Sequence, residues 1–198
     1  ATGTSMYPAQ KKYFMPELAQ RYGQDVEKAK ELLAQAGYPD GFEMTITAPS
    51  NYAQHMDTAQ VIIEQLKAVG ITAQLIPVEW SAWVSDVYKG RDYHSTVCSI
   101  AADDMTAREM LIRYTSGHDK NFIAFSDEEY DEAVAGALAA TDEEEQTRLY
   151  KRAEEILNER AASLWIQDLC DLAVVNPKLD GFTFYPTYVI DMSSVYYK

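Results

Sequence analysis

The chain has 198 residues and a formal net charge of −14, from 31 acidic and 17 basic side chains. That length suits one domain able to bury roughly two thirds of the surface its unfolded form exposes. The charge argues against a nucleic-acid backbone or an anionic membrane surface as partner, since either would be repelled, and no apolar run of about 18 residues is present to span a bilayer.

Residues 1–24 carry Gly3, Pro8, Pro16 and Gly23 without a sustained period, so they are expected to form an extended lead-in with a short turn near Pro16–Gln20. Asp25 then caps a predicted helix whose apolar positions Val26, Ala29, Leu32, Leu33 and Ala36 fall at helical spacing, and Gly37 stops it. Phe42, Met44, Ile46 and Ala48 alternate with Glu43, Thr45 and Thr47, the two-residue period of a strand with one buried face. A second helix, about Tyr52 to Val69, presents Ala59, Ile62, Ile63, Leu66 and Val69 on one face, ends at Gly70, and leads into the strand ITAQLIPVEW. Two strands joined by an amphipathic crossover helix lie parallel with a right-handed connection, so the chain opens an α/β layer.

Ser81 is a candidate cap for a short helix through Val84, Val87 and Tyr88, and a strand is expected from Tyr93 to Ala101. The pairs Thr106/Glu109, Ser126/Glu129 and Thr141/Glu144 have capping-box spacing and predict three further helices, with a short strand at Asn121–Phe125 between the first two. The acidic run Asp142–Glu145 then reads as negative charge at a positive helix end rather than as a metal site. SLWIQDLCDLAVV has strand-forming content up to Pro177, and the aromatic-rich tail from Gly181 has no helical period.

These residues carry a resemblance. VEKAKELLAQAGYPDGFEMTI, the Gly70-Ile71 turn and the VEW ending at Trp80 resemble the C-terminal lobe of the extracellular solute-binding proteins of ABC importers, in the peptide/nickel/opine family, family 5. Lys178, Gly181-Phe182 and DMSSVYYK match the family's closing segment, so the resemblance implies that the chain is expected to reach the natural C-terminus. The resemblance implies an α/β fold of the periplasmic-binding-protein type, a central mixed sheet flanked by helices. It also implies residues 1–24 as lead-in from a hinge, 25–181 as the ligand-binding lobe, and 182–198 as a tail returning toward a missing N-terminal lobe. The further implications are export to a periplasmic or extracellular site, a lipoprotein anchor on the full-length protein, an ABC transporter permease as partner, and an oligopeptide or similar small solute as ligand.

Candidate chemistry is sparse. No nucleophile elbow, phosphate cradle, HExxH or CxxC spacing occurs, His55, His94 and His118 fall on different predicted elements, and no cofactor or metal site is expected. Cys98 and Cys170 read as buried free thiols, with a disulfide between them as the alternative. Asp103-Asp104 is the one carboxylate pair at a strand's carboxyl end, where open α/β sheets meet ligands. In the resembling family, the residue matching Asp103 meets a peptide's amino terminus. Here that position is surrounded by Ser99, Ile100, Ala102 and Asp104; Ile100 stands where the family has tryptophan and Asp104 where it has tyrosine. Asn121 and Phe122 match a second family run and complete the ligand-binding candidates. Trp80 and Trp83 read as helix-packing residues, with ligand-stacking platforms as the alternative. The resemblance implies capture rather than catalysis, with a non-peptide solute (oligosaccharide, nickel complex or opine), a sensory receptor and, more distantly, a hydrolytic enzyme as the other readings.

Overall fold

The structure, a computed structural model, describes residues 4–100, 106–168, 172–185 and 190–198. The chain divides into two compact units, Ala1–Gln167 and Asp168–Lys198.

In the first unit, the segment before Asp25 forms one 3-10 turn at Pro16–Gln20 and is held on its inner side by buried Met6, Met15 and Leu18. Helix α1 (Val26–Gln35) starts where Asp25 accepts the Lys28 amide at 2.9 Å. Its apolar stripe stays outside the core: α1 has no buried residue, and Leu32 is 50% exposed. Strand β1 (Glu43–Pro49) follows, then α2 (Ala53–Lys67) and β2 (Thr72–Val78), with β1 and β2 parallel in the register Ile46 to Leu75. Gly41 and Gly70, both at positive φ, bring the two helix-to-strand turns into backbone contact, and a side chain at Gly41 would collide with the Gly70 carbonyl.

The sheet has the order β2-β1-β3, with β1 at its centre. Met44, Ile46 and Ala48 face α2 and pack with Met56, Ala59, Ile62, Ile63 and Leu66, as the alternating pattern predicts. Thr47 is also buried, because the opposite face is covered by a short helix, α3 (Trp80–Ala82), which continues as a wide π-helical turn over Trp83–Lys89. Ser81 does not cap this helix: it begins one residue earlier, and the first amide, that of Trp80, is met from across the sheet by Asn51 Oδ1 at 3.0 Å. Strand β3 is only Ser95–Thr96 among the described residues, shorter than the predicted strand from Tyr93 to Ala101, whose last residue lies outside them. The side chains explain the shortening: Ser95 Oγ and Thr96 Oγ1 donate to the Thr45 and Thr47 carbonyls, and His94 Nδ1 accepts the Thr45 amide.

Three helices, α4 (Ala107–Ile112), α5 (Glu128–Ala139) and α6 (Glu143–Glu159), complete the unit around a core of Met110, Leu111, Tyr130, Val134, Ile156 and Leu157. Thr106 caps α4 as its spacing predicts. The other two caps fall one residue later than predicted, at Asp127 and Asp142. A carboxylate adjacent to a hydroxyl wins the position because its charge also meets the helix dipole, and Asp127 pairs with Arg160 at 3.0 Å besides. Residues 121–125 form a compact turn rather than a strand: Ala124 lies at φ 55, and Asn121 takes up the backbone groups a ladder would need.

In the second unit, β4 (Leu179–Asp180) and β5 (Tyr196–Tyr197) pair antiparallel, and the Ser194 hydroxyl donates to the Gly181 carbonyl at 2.8 Å. No strand forms within 163–176 among the described residues, although the composition there favours one. Strand propensity needs a partner edge to express itself.

Candidate functional site

All three parallel strands end on the same side of the sheet, and the residues just beyond those ends lie together. Ser50, after β1, donates its hydroxyl to the Val78 carbonyl at 3.0 Å, tying the ends of β1 and β2. Asn51 holds the start of α3 as described, which fixes Trp80 on the rim. The Trp80 ring stacks on Trp83 with centroids 5.1 Å apart and planes 8° from parallel, and Tyr52 meets it edge-on at 5.5 Å. Trp83 is core: it is 4% exposed, and its Nε1 donates to Thr96 Oγ1 at 2.9 Å. Trp80 is not, at 43% exposed, so one side of its ring is backed by a rigid indole while much of its surface stays open. This is an aromatic shelf, suited to stacking or to covering an apolar group.

Beside the shelf, His55 on the first turn of α2 is buried, lies against Tyr52 at 5.3 Å, and brings Nε2 within 3.4 Å of Ser99 Oγ. Burial lowers its pKa below the usual histidine value, so the imidazole is neutral at neutral pH. It therefore offers a polar contact without charge. Ser99 is exposed on the chain leaving β3, and Ile100 packs into the cluster of Trp83, Val87 and Phe122. Cys98, in the same cluster, is a free thiol whose burial pushes its pKa up to about 11, which leaves it protonated and unreactive.

The predicted ligand residues thus separate. Ser99 and Ile100 lie at the strand ends. Ala102, Asp103 and Asp104 lie outside the described residues, as does Cys170. Asn121 and Phe122 are both buried. The Asn121 carboxamide donates to the carbonyls of Tyr114, Thr115 and Phe125 and accepts the Phe125 amide, while Phe122 sits between Trp83 and Tyr88. The sequence pattern left Tyr52 unmarked, set His55 aside as one of three scattered histidines, and read Trp80 as a packing residue rather than a ligand platform. A signal existed, since each stands within a few residues of the carboxyl end of a predicted strand.

A family model for bacterial extracellular solute-binding proteins, family 5 Middle, matches residues 1–122. The chain belongs to this family. Among relatives, heme-binding protein A of Haemophilus influenzae is 26% identical over 176 residues, covering 84% of this chain and 32% of that protein. Glutathione-binding protein GsiB of Salmonella paratyphi A is 29% identical over 173 residues, covering 82% and 33%. The crystal structure of Haemophilus influenzae OppA in complex with RPPGFSPFR superposes with a TM-score of 0.76 at 27% identity, over 91% of this chain and 35% of that one. The chain therefore spans about a third of the length of the curated relatives it matches. The family's relatives are binding proteins rather than enzymes. No helix among the described residues is long and apolar enough to cross a membrane.

Proposed function

We propose that this chain is the C-terminal lobe of a two-lobed solute-binding protein, and that its strand-end edge forms one wall of the cleft that captures solute for an ABC importer. The single observation that carries this reading is the exposed Trp80–Tyr52 shelf at the carboxyl ends of three parallel strands, in a chain that belongs to the family. A second lobe, met across residues 1–24 as a hinge, would close over the shelf and bury the ligand, and a permease would recognise the closed form by population shift. The protein would work in the periplasm or outside the cell, held at the membrane by a lipid anchor.

An oligopeptide or a similar small solute is the ligand class we favour. The shelf would cover an apolar side chain, the neutral His55 and Ser99 would meet backbone polar groups, and Asp103 would receive a terminal ammonium in a charge-assisted hydrogen bond. Names of relatives support the breadth of this class, which includes heme, glutathione and peptides. A non-peptide solute is the second reading. It is favoured by Ile100, which sits in the apolar cluster where the family has tryptophan and so removes one ring from the wall.

The lobe alone supplies half a cleft, so calorimetric titration of the isolated 198-residue chain with di- and tripeptides is expected to give weak or undetectable heat. Submicromolar binding by the isolated chain would sink the two-lobed reading.

A further inference from the structure

The helical cluster encloses one carboxyl group that its surroundings do not neutralise. Glu154, on α6, is 1% exposed. Its Oε2 accepts the Thr4 hydroxyl, and Thr4 Oγ1 accepts the Met6 amide at 3.3 Å. Met6 is fully buried in the core formed by α4, α5 and α6, so this short chain of bonds seats the start of the described polypeptide on the helices. Glu154 Oε1 is buried and has no hydrogen-bond partner among the described residues.

Among the described residues no basic side chain forms an ion pair with Glu154, and the one positive charge felt there is offset. Lys151 on its own helix is opposed by Glu155 on the same helix and by Glu17 on the 3-10 turn. From α5 comes the Tyr130 phenol, whose hydroxyl is already donated to the Leu111 carbonyl at 2.6 Å. An ionised carboxylate here would be buried, unpaired and beside like charges, a combination that proteins avoid by protonation.

We propose that Glu154 is a proton-dependent latch, which in its neutral form seats the Thr4–Met6 turn on the helical cluster and on ionisation releases that segment. On the reading of residues 1–24 as a hinge lead-in, the latch fastens the lobe at its point of attachment. It needs no ligand, so it stands or falls separately from the capture function.

Burial pushes the carboxyl up to about 8, against an ordinary value of 4.5 once the segment is released. Closing the latch therefore takes up a proton between those two values. The fastening is at full strength below the ordinary value and is lost as pH rises through about 8.

Amide hydrogen exchange of residues 4–18 tests this, measured across roughly pH 5.5 to 8.5 and corrected for intrinsic rates, on the unaltered chain and on Glu154→Gln. In the unaltered chain, protection of the Met6 amide is expected to fall by up to about tenfold per pH unit. Glu154→Gln keeps a neutral acceptor for Thr4 and is expected to show no such slope. A carbon-detected NMR titration of the unaltered chain decides the matter even if the variant fails to fold, with the Glu154 carboxyl carbon expected to titrate above pH 7, on the order of the shift that full burial produces. Titration near the ordinary carboxylate value, or equal slopes in the two proteins, overturns the latch.

Discussion

The sheet half of the first unit, from α1 to β3, and its helical half, from α4 to α6, use aromatic residues in opposite ways. In the helical half, Tyr114, Tyr130 and Tyr150 are all buried in one cluster, and each meets another ring edge-on, Trp165, Phe125 and Tyr13 in turn. In the sheet half, Trp83 is buried but Trp80, Tyr52, Tyr38 and Phe42 keep more than a third of their surface open. The helical half closes on itself and stabilises; the sheet half stops short of closing and presents a surface. On the proposed reading both are needed, because a wall that would meet ligand and a second lobe could not satisfy all of its apolar surface internally.

Truncation in the helical half is the strongest way to test that contrast. Ile156→Ala removes a fully buried side chain near the C-terminal end of α6 and is expected to cost about 2–5 kcal/mol in urea denaturation. By the same measure Trp80→Ala should cost less than about 1 kcal/mol, since nearly half of the side chain is already in water. If the two costs were equal, the division of labour between the halves would be wrong.

Smaller effects sharpen the boundary between local and tertiary stabilisation. Asp142→Ala is expected to destabilise by about 1 kcal/mol through loss of the α6 cap, whereas Thr141→Ala should be nearly neutral. His55 gives a pH signature confined to the sheet half. Its folded pKa is lowered, so folding favours the neutral ring. Stability from this group is complete above the usual histidine value and is lost as pH falls below it, and His55→Gln should flatten that limb in denaturation followed between roughly pH 5 and 7. Leu32→Ala on the exposed stripe of α1 should change stability by no more than about 0.5 kcal/mol.

Much of this arrangement was legible in the residues. α1, α2, β1 and β2 follow from periods and stops that are local, and the Asp25 and Thr106 caps sit where spacing puts them. What failed was set by competition or by distance. Ser126 and Thr141 each stand beside an aspartate that makes the better cap, and spacing alone does not choose between neighbours. The short β3 depends on hydroxyl groups that reach β1 from some 50 positions away in sequence, a pairing no local pattern displays. Trp80 and Trp83 look alike in the chain. Only the stacking order on the sheet makes one of them core and the other a rim, and Asn121 reads as a polar cleft residue until its four backbone bonds are seen.

The most direct test is native mass spectrometry of the full-length gene product purified from its own host without denaturation, compared with its Trp80→Ala and Leu32→Ala variants. The unaltered protein and Leu32→Ala are expected to carry a bound solute mass, fragmenting into amino acids if the ligand is a peptide, while Trp80→Ala is expected to be largely empty. A Trp80→Ala protein that retains the solute as fully as the unaltered one would contradict the assignment of the strand-end shelf as the wall of the cleft.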